Sequence, residues 1–379
     1  METLAKLTSA VEFPCKNCGA MLHYAPGTGS LTCSHCGVAN LITASEALVH
    51  EEDYLGVLRT LREQAETVDV LTVKCSACGA ESALPPGITA DRCPFCSMPV
   101  VAVRSSRKLI RPECLLPFRI SREQAVGLFG TWIGGLWFAP RSLRREAGGV
   151  RLLGIYVPAW TYDSRTTSDY TGQRGDDYWV TESYWDTESY TETQGGHTVH
   201  RTRRVSKTRQ VRKTRWSSAA GQVSNAFDDV LVLATGSLPM DLAMKLEPWD
   251  LKNLVPFQEA YLSGFVAESY HIGLEDGFVQ AQQAMRPTIE QTVGQDIGGD
   301  HQRIDSLATR YYEVKFKHLL LPVWLCAYSY HGQVYRFVVN ARTGELHGER
   351  PWSYAKLAIL IAVLLALVLL ISVVVGQQR

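Results

Sequence analysis

The longest hydrophobic pattern is a continuous apolar run near the C-terminus. Leu357 to Val375 consists of Leu, Ile, Val and Ala, with Ser372 as its one polar residue. A helix of this length, at about 1.5 Å per residue, spans about 28 Å, close to the roughly 30 Å hydrocarbon thickness of a bilayer. Trp352 and Tyr354 precede the run, where amphipathic rings favour the interface. We therefore expect a membrane span and not a buried core helix.

The short tail after this run predicts the orientation of the chain. Only four residues, 376–379, follow the span, so the folded mass should stay on the side of synthesis. Arg350 and Lys356 precede the span and Arg379 follows it, which agrees with the positive-inside rule. Residues 350–379 are thus predicted to be an interfacial segment and tail anchor, in a single-pass protein of the cytoplasmic (inner) membrane with its bulk in the cytoplasm.

Residues 104–349 alternate between helical and strand patterns and predict an α+β domain with an antiparallel sheet. Ser121 and Gln124 form a capping box ahead of an apolar-rich helix. The other predicted elements are a buried strand, a long helix with Pro287 as a candidate interruption, two strands joined by a turn at His331-Gly332, and a closing turn. Their bounds are Leu153–Tyr162, Leu274–Gly294, Leu319–Tyr330, Gln333–Val339 and Asn340–Gly344.

An acidic segment and a basic segment flank the dipeptide Gly195-Gly196. The acidic residues are Asp176, Asp177, Glu182, Asp186, Glu188 and Glu192, and the basic ones are Arg201, Arg203, Arg204, Lys207, Arg209, Arg212, Lys213 and Arg215. A hairpin about the glycines places Glu188 opposite Arg203, Glu182 opposite Arg209 and Asp176 opposite Arg215, and such pairs stabilise a sheet. We predict a charge-complementary β-hairpin. An exposed basic stripe for nucleic acid or anionic lipid stays open as the alternative.

Eight of the ten cysteines form two clusters of the same spacing within the first hundred residues. The clusters are Cys15, Cys18, Cys33, Cys36 and Cys75, Cys78, Cys93, Cys96. In each, two Cys-x2-Cys pairs are separated by fourteen residues, and the copies are offset by 60. Four thiolates on two tight turns suit tetrahedral Zn(II) and leave no open position, which predicts two structural sites in rubredoxin-like ribbons, residues 1–43 and 71–103. A redox dithiol or an iron centre is the alternative. His23 and His35 are expected at the surface.

Residues 44–70, between the two ribbons, are predicted to be a helical spacer. Leucines recur near helical spacing from Ser45 to Thr67. This helix either binds a partner or packs as a strut on its own domain.

Composition and motifs argue against catalysis and against general nucleic-acid binding. The formal net charge is zero, whereas proteins that carry nucleic acid over their whole surface are usually basic. The sequence contains no Walker A loop, His-Glu-x-x-His, Gly-x-Ser-x-Gly or Gly-x-Gly-x-x-Gly motif. Cys114 and Cys326 lie among apolar residues and are expected to be buried, inert thiols, and Asp228-Asp229 is expected at a turn or surface. We predict no catalytic residue, although an activity without a short motif stays open.

Several segments, taken together, resemble a group of bacterial membrane proteins labelled transcription factor IIB-type zinc-finger or primosomal protein N′-like. They are Cys15-Lys-Asn-Cys-Gly, Cys33-Ser-His-Cys-Gly, Cys93-Pro-Phe-Cys96, Leu116-Pro-Phe-Arg-Ile, Tyr156-Val-Pro-Ala-Trp160, Phe227-Asp-Asp-Val-Leu-Val, Leu321-Pro-Val-Trp324 and Asn340-Ala-Arg-Thr-Gly-Glu345. Ser97 departs from the glycine usual after the last cysteine. The helicase-like label rests on the ribbons, since ATPase motifs are missing.

The resemblance implies a role in membrane organisation or envelope stress, because members of this group tend to be encoded near stomatin/flotillin-like and phage-shock-type proteins. We therefore expect a non-enzymatic, tail-anchored adaptor that presents protein-binding surfaces to such membrane-associated scaffold proteins. A membrane-tethered nucleic-acid-binding protein is the alternative.

Overall fold

The protein is described by a computed structural model that covers most of the chain. The residues described are 13–43, 49–63, 68–74, 81–83, 90–92, 99–101, 103–107, 110–140, 142–143, 151–194, 197–236, 238–331 and 333–377. The chain divides into two compact units. Unit 1 comprises residues 1–162, 229–281 and 315–379, and unit 2 comprises residues 163–228 and 282–314.

The N-terminal part of unit 1 consists of short antiparallel strands. Strands β1 (Leu22–Ala25), β2 (Ser30–Cys33) and β3 (Ala39–Leu41) form one sheet in that order. Further along the chain, five more short strands form two small sheets, in the orders β6-β5-β9 and β7-β8. Their bounds are β5 Val68–Lys74, β6 Glu81–Ala83, β7 Ala90–Arg92, β8 Pro99–Val101 and β9 Val103–Arg107.

The predicted spacer helix is shorter than its leucine pattern suggested. Residues 49–53 are not helical, because Glu52–Asp53 (β4) pairs with Lys315 and Phe316 of a later strand. Helix α1 runs over Tyr54–Glu63, and the Asp53 carboxylate accepts a hydrogen bond from the Gly56 N–H at 2.7 Å, which caps its first turn. Tyr54 is buried against Tyr162 and Phe278, with ring centroids 6.4 and 4.9 Å apart. The helix therefore packs on its own unit.

Nine of the described strands form one predominantly antiparallel sheet, which together with the helices confirms the predicted α+β class. Its order is β12-β11-β15-β10-β13, with β4, β14, β16 and β17 attached at the side. Strand β15 ends at Tyr330 and β16 begins at Gln333, and these two residues pair, as the predicted turn at His331 requires. The remaining bounds are β10 Cys114–Leu115, β11 Arg151–Gln194, β12 His197–Leu233, β13 Val255–Pro256, β14 Val266–Ala267, β15 His301–Tyr330, β16 Gln333–Asn340 and β17 Leu346–Gly348.

In unit 1 this sheet is buried on both faces, which explains the near-continuous apolar runs in β11 and β15. Tyr156 and Trp324 point to one face, and Ile155 and Leu325 to the other, as the two-residue period of a strand requires. Helix α2 (Arg122–Gly135) covers the first face with Ala125, Phe129 and Ile133, together with residues of β1 and β2. The short helix α3 (Met240–Ala243) and the residues after it cover the second face.

Two local predictions are confirmed and one is wrong. Ser121 and Gln124 form both hydrogen bonds of the capping box at the start of α2. The predicted closing turn forms, with the Gly344 N–H donating to the Asn340 carbonyl at 2.9 Å. Helix α4, over Leu274–Ile297, is continuous through Pro287, so the predicted interruption does not occur. Proline has no N–H, so the carbonyl four residues before Pro287 lacks its helical hydrogen bond. Because Pro287 is exposed, water can solvate that carbonyl instead.

Helix α5 (Tyr354–Gln377) contains the apolar run at the C-terminus. It is long and apolar enough to cross a membrane, and its candidate span covers Tyr354–Ser372. The large aliphatic side chains from Ile359 to Ile371 are exposed. A helix that is apolar on every side buries its surface inside a protein or in a bilayer. Because this helix is not covered by the described chain, its composition points to the bilayer.

Candidate metal centre

The first cysteine cluster is held by two turns of the same geometry. In one turn the Gly19 N–H donates to the Cys15 carbonyl at 2.9 Å, and in the other the Gly37 N–H donates to the Cys33 carbonyl at 2.9 Å. Both glycines have φ of +73°, a left-handed conformation that disfavours other residues. The two turns therefore present their thiols in equivalent ways from opposite sides of one site.

The spacing of the four sulfurs fits a tetrahedral metal. The Sγ atoms of Cys15 and Cys36 are 3.6 Å apart, and those of Cys18 and Cys33 are 3.5 Å apart. All four lie within 4.8 Å of one another. Zn–S bonds of about 2.3 Å at tetrahedral angles give sulfur–sulfur separations of about 3.8 Å. The group formed by Cys15, Cys18, Cys33 and Cys36 can therefore hold a metal ion, and a four-thiolate set suits Zn(II).

The pKa values of two thiols in this cluster, Cys18 and Cys36, are shifted in opposite directions. The backbone N–H of Val38, with help from Asn17, lowers the pKa of Cys36 to about 6. At Cys18 a hydrogen bond from the Ala20 backbone lowers the pKa, but hydrogen bonds with the neighbouring thiols, Cys33 first, outweigh it and raise the pKa to about 12. Four thiolates so close together repel one another, so this group favours a cation that compensates their charge.

The cluster is continuous with the core of unit 1. Cys15 and Cys33 are buried in the same core as Leu22, Tyr24 and Leu31. Backbone hydrogen bonds fix the ribbon further, since the Tyr24 N–H donates to Ser263 at 3.0 Å and the Gly27 N–H donates to Phe118 at 2.9 Å. His23 and His35 are exposed, as expected, and neither belongs to the sulfur group.

The second cluster, Cys75, Cys78, Cys93 and Cys96, lies outside the described residues. The strands around it are described, and their pairing repeats that of the first ribbon 60 positions later. Pro14 pairs with Met21, and Lys74 pairs with Glu81. In the same way β2 and β3 pair residues 30–32 with 41–39, and β7 and β8 pair residues 90–92 with 101–99. The repeat seen in the sequence is therefore also a repeat in backbone register.

The two isolated cysteines are buried, as predicted. Burial raises the pKa of Cys114 and of Cys326 to about 12, which disfavours the reactive thiolate. Asp229 lies inside β12, and its carboxylate forms an ion pair with the Lys317 ammonium at 2.6 Å. Glu51 also contacts the Lys317 ammonium, at 3.4 Å. This buried lysine was not predicted from the sequence, where its only signal is a charge within the apolar half of β15.

Two further titratable groups lie near Lys317. Burial, together with the Glu52 carboxylate, raises the pKa of Glu113 to about 7. Burial lowers the pKa of His318 to about 4, so this imidazole is neutral at physiological pH. Its ring lies 4.5 Å from that of Trp160 and 5.4 Å from that of Tyr270, measured between centroids. These contacts suit a neutral aromatic core residue.

Strands β11 and β12 are neighbours, and two of the three predicted charge pairs between them are in contact. Arg203 contacts Glu188 at 3.2 Å and Arg209 contacts Glu182 at 3.7 Å, both as predicted, whereas Arg215 stacks on the Tyr178 ring at 5.2 Å. Further pairs join Lys207 with Asp186, Lys213 with Glu182 and Arg212 with Asp177. Lys213, and then Arg209, hold the pKa of Glu182 below its ordinary value. Gly195 and Gly196 lie outside the described residues.

The chain is similar over nearly its whole length to a protein from Bacillus subtilis (strain 168) named Uncharacterized protein YdjG. The two are 25% identical over 359 residues, which is 92% of each chain. No protein-family model matches the sequence, and no solved structure matches it. The similarity thus extends well beyond the cysteine segments and covers most of both units.

Proposed function

We propose that this chain is a zinc-ribbon adaptor, tail-anchored by α5 in the cytoplasmic membrane, with both units in the cytoplasm. The observation that carries the proposal is the position of the thiol group. Its buried cysteines belong to the core of unit 1, the unit whose chain continues into the exposed apolar helix. Four protein ligands would close the coordination of a zinc ion, so the metal stabilises a surface and has no open position for chemistry.

We assign a second structural zinc to Cys75, Cys78, Cys93 and Cys96. The support is the shared register of the strands that flank the two clusters, together with the identical cysteine spacing. Zinc analysis of the purified full chain should give two ions per chain. A content of one ion would contradict this assignment.

The ribbon offers an exposed apolar surface for a protein partner. Leu41 is 83% exposed, and Met21 and Val38 are also exposed, all on the first ribbon. Where such residues form a contiguous patch, they mark protein-interaction sites. We propose that this surface binds membrane-associated scaffold proteins of the stomatin/flotillin-like or phage-shock type, as the sequence resemblance implies.

Affinity capture of the full chain from bacterial membranes in mild detergent tests this partner class. We expect such a scaffold protein to copurify with the wild type and to be lost with Leu41→Lys. Met244→Lys, a matched change at another exposed apolar residue of unit 1, should retain it. Capture of no scaffold protein, or equal capture by both variants, would count against the proposal.

A second candidate function, nucleic-acid binding, is favoured by the aromatic groups of the hairpin. Trp179 and Trp185 are 66% and 68% exposed on the strand that pairs with the basic segment. Exposed rings beside cations are the elements of a single-strand binding surface. The ion pairs within the hairpin already occupy much of this charge, so we rank the function second. Tight binding of single-stranded DNA or RNA that weakens steeply with salt, and that is lost with Trp185→Ala, would favour it.

A further inference from the structure

A tryptophan far from α5 in sequence lies at the point where this helix begins. Lys356, in the first turn of α5, donates from Nζ to the carbonyl oxygens of Trp137 and Ala139, each at 2.8 Å. The Ser353 N–H donates to the Phe138 carbonyl at 2.7 Å. Three hydrogen bonds thus fix residues 136–140 against the start of the apolar run.

The aromatic side chains at this position are exposed. The Trp137 side chain is 82% exposed, and Trp352 and Tyr354, just before the run, are also exposed. Phe138 lies against Trp352 with ring centroids 6.4 Å apart, and the Arg350 guanidinium lies 4.5 Å from the Trp352 ring centroid. Tryptophan is highly buried on average, so an indole left in water by its own chain requires an explanation. Amphipathic rings of this kind are enriched at membrane–water interfaces.

A cleft beside Trp137 has the chemistry of that interface. It has a volume of about 400 Å³, and apolar side chains line most of it together with one lysine. The lining residues are Ile133, Gly134, Leu136, Trp137, Ala139, Pro140 and Lys356. Lys356 uses two of its three N–H donors on carbonyls, which leaves one for a phosphate oxygen. A lining of apolar side chains, backbone carbonyls and one lysine suits a phospholipid, which has acyl chains below a phosphate group.

We propose that residues 136–140 are a second membrane contact, in which the Trp137 indole enters the interfacial layer of the leaflet that α5 enters, and phospholipid fills the adjoining cleft. This contact rests on the proposed function, because it requires α5 to span the bilayer. A flexible linker would let unit 1 turn freely above the membrane. A second contact held to the helix by hydrogen bonds fixes instead which face of unit 1 meets the lipid.

Tryptophan fluorescence of the full, zinc-loaded chain in phosphatidylcholine liposomes tests this contact. Lipids brominated near the headgroup end of their acyl chains quench indoles in the interface and leave distant ones unaffected. In wild type we expect Trp137 and Trp352 to contribute most of the quenched emission. Trp137→Phe should therefore lose roughly half of it. Trp160→Phe, which removes an indole buried inside unit 1 and out of reach of lipid, should leave the quenched part unchanged.

The outcomes separate this inference from the proposed function. If the wild type does not float with the liposomes, the membrane span itself is wrong. If it floats and Trp137→Phe retains the full quenched emission, the second contact is overturned. Zinc content checks that each variant is folded, because the thiol group shares the core of unit 1. Trp137→Tyr provides an independent variant: it should lose the same emission as Trp137→Phe, and retention of that emission would again overturn the contact.

Discussion

Loss of the zinc site proposed at the first cysteine cluster should destabilise all of unit 1 and not the ribbon alone. Cys18→Ser removes an exposed ligand, so it disturbs packing less than a change at the buried Cys15 or Cys33. Structural zinc supplies on the order of 10 kcal/mol to folding in small ribbons, so a three-ligand site should leave the ribbon largely unfolded. The first direct result should be zinc content lowered by one ion per chain.

The magnitude of the further effect follows from what the ribbon buries. Leu22 and Leu31 are nearly fully buried in the shared core, and their burial contributes about 3 to 6 kcal/mol together. Tyr24 adds ring contacts with Tyr261 and Phe265 at 5.2 and 6.3 Å between centroids. Whole domains are stable by only about 5 to 15 kcal/mol, so loss of this docking removes a large share of the stability of unit 1.

The assay is urea unfolding of the full chain in detergent, followed through the buried core tryptophans, with zinc measured on the same samples. We expect Cys18→Ser to shift the transition to much lower urea. His35→Ala, an exposed change between two ligands, should leave zinc content and transition unaltered. Unchanged zinc in Cys18→Ser would refute the ligand set. Lost zinc with an unchanged transition would show that the ribbon does not stabilise the core.

Three further predictions address other parts of the chain. Glu182→Lys and Arg209→Glu should each lower the thermal stability of unit 2, and the double reversal should restore part of it; additive losses in thermal melts would contradict the pairing. The pKa of Glu113, raised to about 7, means that the folded chain holds a proton that the unfolded chain releases near pH 4.5. Stability should therefore fall as pH rises from about 5 through 7, and Glu113→Gln should flatten this dependence in urea titrations; an equal slope in both proteins would sink this account. Deletion of residues 351–379 should move the chain from the membrane fraction to the soluble fraction, and continued sedimentation with membranes would argue against α5 as the anchor.

Features set by local chemistry could be predicted from the sequence. Ser121 and Gln124 lie three positions apart and cap α2 whatever surrounds them. Glu182 and Arg209 were predicted to pair from the order of acidic and basic residues along the two strands, and they are in contact. The Cys-x2-Cys spacing likewise placed two thiols on each turn of the first ribbon.

Features set by contacts between distant segments could not be predicted. Within the predicted helix, Glu52–Asp53 form a strand instead, because a strand partner more than 260 residues later competes for that backbone. The ion pair of Lys317 could not be predicted from the sequence, because its partner Asp229 lies on a different strand of the sheet. Trp137 gave no sequence signal either, because its position depends on the hydrogen bond from Lys356.

The same distant contacts join the thiol group to the base of α5. The first ribbon packs on Phe118 and Trp324, and α2, whose C-terminal end leads directly to Trp137, packs on the same face of the sheet. Ribbon, sheet and the base of α5 thus belong to one compact unit. Zinc loss should then weaken not only the ribbon surface around Leu41 but also the attachment of Trp137 to the bilayer. In the brominated-lipid assay Cys18→Ser should reduce the emission due to Trp137 while flotation persists, because the apolar run of α5 requires no metal.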